Sequence, residues 1–257
     1  MLKPERYRRI LDYVNERGAA TVDELADVTQ VSKATIRRDL VALEEERSLL
    51  RTHGGAVTYH STVQEEIPID LRRELNREEK ELVAAAAVEL VREGSTIYVG
   101  AGTTGRALAA KLGRFHQLTV LTNDLDVAQE VTRTDNSLIM AGGQLKKGSR
   151  TLYGFFTEQM LRELRVDTAF MIVDAVDVES GFMDYSIDEV RIKREVIQNA
   201  KQCIMLCDAS KFKKSTLVNV CPLNHVQVVV TNAEADPKDV QVLMDAGLQV
   251  IQAARRT

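Results

Sequence analysis

The chain has 257 residues, 44% apolar and 28% charged, which suits a soluble globular protein of two domains. Its net charge of −4 does not mark a nucleic-acid binder: residues 1–60 carry ten basic and ten acidic side chains and the remainder 24 and 28, so any such contact rests on local placement of charge. No apolar run approaches the roughly 18 residues of a membrane helix, and "MLKPERYRR" is not followed by the apolar core of a signal peptide, so a cytoplasmic protein without a membrane partner is expected.

The first element is a helix over 3–17, with Tyr7, Ile10, Leu11 and Val14 on one face and Gly18 as its stop. "TVDE" at 21–24 is a Thr-x-x-Glu capping box, which opens a second short helix at Thr21. The connection "TQV" leads to a third helix capped by Ser32. On that helix Ile36, Leu40 and Leu43 form the buried stripe. Ala34, Arg38 and Val41 point the opposite way, with Thr35 and Arg37 on the flanks. Glu44, Glu45 and Glu46 end the helix and would repel phosphates, so its N-terminal half must make any groove contact. Residues 49–51 and 56–58 pair as a hairpin around His53-Gly54-Gly55. Three short helices and a two-stranded wing within 1–59 spell a winged helix-turn-helix.

Residues 60–76 are polar, contain Pro68, and read as a linker. From residue 77 to 257, apolar runs at 96–100, 118–122, 137–141, 168–174, 202–207, 226–231 and 248–252 alternate with helical stretches. That rhythm predicts an α/β domain with a largely parallel, Rossmann-like sheet. Cys203-x3-Cys207 and Cys221-x3-His225 carry zinc-like spacing, but four residues along a strand span about 13 Å, too far for two ligands of one ion. Buried, reduced cysteines are expected, with no metal and no cofactor.

In a parallel sheet, ligands bind beyond the carboxyl ends of the strands. "GAGTTG" at 100–105 follows the first run, where free N–H groups and the hydroxyls of Thr103 and Thr104 suit a phosphate. "TND" at 122–124 presents Asn123 to a hydroxyl, with Asp124 either a ligand contact or a helix N-cap. "GGQLKKGS" at 142–149 reads as a solvated loop, Asp174 ends the fourth run, and "DASK" brings Lys211 to the same rim.

"TVDELADVTQVSKATIRRDLVALEEERSLLRTHGGAV" closely resembles the N-terminal signature of the DeoR-type family of bacterial sugar-metabolism repressors. The resemblance continues through "TNDL", "AGGQLKKGS", "GFMDYSIDEVRIKR" and "DASKF". It implies operator DNA as partner of Thr21, Ser32, Lys33, Thr35, Arg37, Arg38, Arg51 and His53, within and beside segment 20–39. It implies a phosphorylated sugar held by Gly102, Thr103, Thr104, Asn123, Asp124, Asp174, Glu189, Lys193 and Lys211, and self-association as a dimer or tetramer. Its sensor domain is similar in fold to ribose-5-phosphate isomerase. An isomerase using Asp174, Glu189 and Lys211 is therefore the alternative, as is an activator of the same architecture. The chain departs from the family where Gly100 replaces an Asp, and where Ile172, Val173 and Ala175 flank Asp174 in place of a Gly-Ala-Asp-Gly pattern.

Overall fold

A computed structural model describes residues 2–17, 19–45, 48–52, 54–58, 69–212 and 216–254. Gly18, Glu46, His53, Tyr59 and residues 60–68 of the expected linker lie outside the described residues. The chain divides into two compact units, Met1–Leu75 and Asn76–Thr257.

In the first unit, α1 (Lys3–Arg17), β1 (Ala19–Thr21), α2 (Val22–Thr29), α3 (Lys33–Glu45), β2 (Leu49–Arg51) and β3 (Gly55–Thr58) precede a short α4 (Ile69–Glu74). The stretch read as linker is therefore helical in its second half. The capping box forms as expected: the Thr21 hydroxyl accepts from the Glu24 N–H, and the Glu24 carboxylate accepts from the Thr21 N–H at 2.8 Å. Ser32 caps α3 by accepting from the Thr35 N–H at 3.2 Å. Gln30, in the left-handed region at φ 56°, makes the turn between α2 and α3. The wing has three strands, not two, in the order β1-β3-β2. Gly55 permits the third: a Cβ there would sit 1.9 Å from the Ala20 carbonyl oxygen across the pair. Ile10, Val14, Leu25, Ile36, Leu40, Leu43, Leu49 and Ala56 close the core.

The second unit runs α5 (Arg77–Ala87), β4 (Thr96–Val99), α6 (Thr103–Ala109), β5 (Thr119–Thr122), α7 (Leu125–Val131), β6 (Ser137–Met140), then a hairpin of β7 (Gln144–Lys146) and β8 (Thr151–Tyr153). There follow α8 (Phe155–Glu163), β9 (Val166–Ile172), β10 (Ala175–Asp177), β11 (Gly181–Asp184), α9 (Ile187–Asn199), β12 (Ala200–Leu206), β13 (Val218–Cys221), β14 (Val228–Asn232), α10 (Pro237–Asp245) and β15 (Gln249–Ala253). Seven strands form one parallel sheet in the order β15-β14-β12-β9-β4-β5-β6, one for each apolar run read from the sequence.

Both faces of this sheet are covered, so its strands carry apolar side chains at successive positions. In β9, Phe170 and Ile172 face a core with α5, α6 and α7, while Ala169 and Met171 face one with α8, α9 and α10. Strand order turns back between β4 and β9, which places the topological switch point at Gly100 and Asp174. The loop expected at 142–149 is partly ordered as β7, and β10, β11 and β13 form a small antiparallel sheet that the periodicity did not reveal. Among the described residues, no helix is long and apolar enough to cross a membrane.

Candidate functional site

The first unit exposes the N-terminal half of α3. Ile36 and Leu40 are buried, whereas Ser32, Lys33, Ala34, Arg37 and Arg38 are exposed and Thr35 is half-buried. Arg37 and Arg38 have no ion-pair partner among the described residues. The other expected contacts are engaged within the unit. Lys33 pairs with Asp23 at 2.8 Å, and the Arg51 guanidinium lies 3.3 Å from Glu44, which also accepts from the Arg51 N–H. Ser32 and Thr35 share a hydroxyl contact of 2.9 Å, and the Thr21 hydroxyl donates to Glu24. These pairs are exposed and weak, so a phosphate could displace them at small cost. Glu44 draws Arg51 toward the acidic end of α3, a bias that charge counting on the helix alone did not show.

One contact in this unit has no counterpart in the sequence reading. Asp39, buried on the inner face of α3, accepts two bonds from Arg6 of α1, at 2.5 and 3.0 Å.

In the second unit the polar residues gather at the carboxyl ends of β9, β4 and β5. The Gly100–Thr104 turn is tied to the end of β5 by a bond from the Gly102 N–H to Asp124 at 3.0 Å. Asp124 is the N-cap of α7, accepting from the Asp126 and Val127 N–H groups at 2.7 and 3.0 Å. Burial pushes its carboxyl up to about 6, while those three N–H donors pull the other way. Asn123, expected free for a ligand hydroxyl, is instead buried: it accepts from the Tyr98 hydroxyl at 2.7 Å and donates to the Leu152 carbonyl at 2.8 Å. Thr104 is buried at the first turn of α6, and Thr103 beside it is half-buried.

Around the end of β9, three lysines meet three carboxylates. Lys211 lies 3.3 Å from Asp174, Lys146 of the hairpin lies 3.2 Å from Glu189, and Lys193 is bonded to Asp184. Lys193 is only 6% exposed and Asp184 1%. Asp184 also accepts from the N–H groups of Tyr185 and Ser186. Burial works against the Lys193 ammonium, yet Asp184, Glu189 and Asp174 together outweigh it and hold its pKa above the usual lysine value. Burial also pushes the Asp184 carboxyl up, with Lys193 opposing and Asp174 and Glu189 adding. The resulting cluster has as many ammonium groups as carboxylates, and giving one lysine to an anionic ligand would leave it negative. Arg194, next to Lys193, serves elsewhere: it donates to the Asn219 and Val220 carbonyls. Asp184, Tyr98 and Lys146 were not singled out from the sequence, since nothing local marks them.

The departures flanking the site form one packing unit. A Cβ at Gly100 would meet Ile172 Cδ1 at 3.1 Å, and one at Gly105 would meet it at the same distance and the Gly100 carbonyl oxygen at 2.0 Å. Ile172 thus fills part of the space that a side chain at residue 100 would occupy, with the Phe170 carbonyl oxygen as close at 3.1 Å. Gly100→Asp alone and Ile172→Gly alone are each expected to destabilise, the second by about 2–5 kcal/mol as a lost buried side chain. The double variant is expected to recover part of that loss, and a thermal-denaturation cycle that found strict additivity would refute the coupling.

All three cysteines are buried, and burial pushes their thiols up, Cys221 to about 12. Among the described residues, no cluster of His, Cys, Asp or Glu could hold a metal ion.

Two unlinked observations, a helix-turn-helix with a wing and an α/β unit with a polar site at its switch point, meet in comparison with known proteins. Residues 6–62 match the model of the DeoR-like helix-turn-helix domain, and residues 75–233 that of the DeoR C terminal sensor domain. The chain belongs to the DeoR family. It is 32% identical to the glycerol-3-phosphate regulon repressor of Escherichia coli (strain K12) over 251 residues, covering 97% of this chain and 99% of that one. It is 32% identical over 256 residues to the HTH-type transcriptional regulator GlpR of Haloferax volcanii, covering the whole of both. Membership makes the chain a DNA-binding transcriptional regulator, and the isomerase alternative falls. Ribose 5-phosphate isomerase A from Methanocaldococcus jannaschii aligns at 22% identity with a TM-score of 0.41, over 53% of this chain and 55% of that one, too distant to bear on activity.

Proposed function

We propose that this DeoR-family protein represses genes of carbohydrate or polyol use and leaves its operator when a phosphorylated metabolite binds at the switch point of the sheet. The observation that carries the DNA half is the pair Arg37 and Arg38: exposed, without ion-pair partners among the described residues, and on the half of α3 that a helix-turn-helix presents to bases. Arginine serves guanine edges and phosphates alike, while Lys33, Arg51 and His53 are suited to the backbone. The metabolite half is supported by Lys211, Lys193 and Lys146 beside Asp174, Asp184 and Glu189: ammonium groups for a phosphate, carboxylates for hydroxyls. The full-length likeness to a glycerol-3-phosphate regulon repressor makes a small polyol phosphate the first ligand to test. A dimer or tetramer in the cytoplasm completes the reading, with half-sites spaced by whole helical turns.

Arg38→Ala is expected to cost about 1–3 kcal/mol of operator binding, or about 5- to 150-fold, measured by gel shift at fixed salt. Unchanged affinity would remove Arg38 from the interface. For the ligand, thermal melting with glycerol 3-phosphate, fructose 1-phosphate and ribose 5-phosphate should show a concentration-dependent rise with at least one of them. No rise with any, beside a specific gel shift, would leave a regulator without this input.

A further inference from the structure

Asp39 is the one carboxylate between Lys33 and Leu40, next in sequence to the two arginines proposed to read DNA. It is 4% exposed, on the same inner face as Ile36 and Leu43. A carboxylate there is costly unless paired, and an apolar residue of similar size would pack at least as well. Its partner comes from another helix, 33 residues earlier: Arg6 Nε and Nη2 each donate to a different carboxylate oxygen, a bidentate pair. Such a fork restrains both the separation and the rotation of α3 relative to α1, where apolar contact would allow sliding. It also neutralises a carboxylate next in sequence to Arg38.

We propose that Arg6 and Asp39 are positioning residues for operator recognition: Arg6 neutralises the carboxylate of the recognition helix, and the pair sets the angle at which Arg37 and Arg38 meet the groove. This rests on the reading of α3 as the helix that enters the groove. The two halves of the pair then act differently. Removing Arg6 leaves a bare carboxylate near DNA, whereas neutralising Asp39 leaves an extra cation.

The test uses the full chain and two duplexes, one selected by the wild-type protein from a randomised pool and one scrambled. Arg6→Ala is expected to weaken binding to both duplexes, more at low salt, as added repulsion requires. Asp39→Asn is expected to hold the scrambled duplex as well as wild type or better, yet to lose preference for the selected one by about tenfold, the size of one lost bidentate base contact. Circular-dichroism melting reports folding of each variant, and Arg6→Met with Asp39→Leu supplies an apolar pair suited to the same space. The proposal is overturned if Arg6→Ala and Asp39→Asn lose both duplexes in equal measure, or if the apolar pair keeps full preference. Arg37→Ala with Arg38→Ala separates the two readings. If that variant keeps its preference, α3 is not the reading helix. If it loses preference while the Arg6 and Asp39 variants keep theirs, only the positioning role fails.

Discussion

Lys193→Met is expected to lower the stability of the second unit by about 3–5 kcal/mol near pH 8, because it strands the Asp184 carboxylate in the protein interior. Asp184 is almost wholly buried, and the two backbone N–H groups it keeps compensate only part of the lost ammonium. The loss should depend on pH with a definite sign. Burial raises the folded-state pKa of this carboxyl above its unfolded value, and losing Lys193 raises it further. A carboxyl raised in the folded state penalises folding above its folded pKa, and the penalty fades as pH falls through that value toward the unfolded one. Urea denaturation of wild type and variant at pH 8 and pH 5 should therefore show a smaller gap at pH 5. A gap that is equal at both, or wider at the lower pH, would mean that Asp184 is not the group left unpaired. Asp174 and Glu189, which face the same lysine, share in the titration, so the midpoint belongs to the cluster.

Lys211→Ala is expected to leave operator binding intact and to abolish release at the ligand concentration that suffices for the wild type. Lys211 lies at the rim, about a fifth exposed, paired with Asp174 at 3.3 Å. Lys193 is enclosed and Lys146 stands on the hairpin, whereas Lys211 follows the strand end beside Asp174, where a parallel sheet binds its ligands. One charge-assisted bond to a phosphate contributes about 1.5–3 kcal/mol, so the variant's affinity for an effective phosphate should fall by about 10- to 150-fold. Gel-shift titration with the ligand measures this directly. Release at the wild-type ligand concentration would take Lys211 out of the site, and loss of operator binding without ligand would show that the change acts on folding.

The local features of the first unit were readable because each is settled by neighbours in sequence. The Thr21 box spans four residues, the Ser32 cap another four, and the Ile36-Leu40-Leu43 stripe follows from one helical period. The third wing strand escaped because Ala19 and Ala20 carry little strand signal, and it exists only because Gly55 lets the chains approach. In the second unit, seven runs rich in Val, Ile and Leu announced seven strands, since a parallel strand is buried on both faces and reads as unbroken apolar sequence. The strands β10, β11 and β13 run three or four residues and mix polar with apolar side chains, too short to show a period.

The candidate site divides in the same way. Gly102, Asp124, Asp174 and Lys211 were legible as polar ends of apolar strands, because where a parallel strand stops, the sheet presents its binding edge. The free role expected of Asn123 failed for a reason outside its own segment: Tyr98, 25 residues earlier, takes its carbonyl oxygen. The departures at Gly100 and Ile172 looked like separate losses until the sheet set them side by side, one side chain filling the gap left by the other.

By itself the sequence determined the first three helices of the first unit, the seven strands of the parallel sheet, the exposed arginines and the edge of the sheet that carries the polar residues. Periodicity, caps and strand ends are properties of a few adjacent residues, and they survive without knowledge of the fold. The tertiary structure alone decided which charges pair: Arg6 with Asp39 across 33 residues, Asp184 with Lys193 across 9, and Asp174 with Lys211 across 37. Nothing in a one-dimensional pattern sets the distance between such groups, and it is that distance, with burial, that turns a surface charge into a buried pair whose two halves depend on each other.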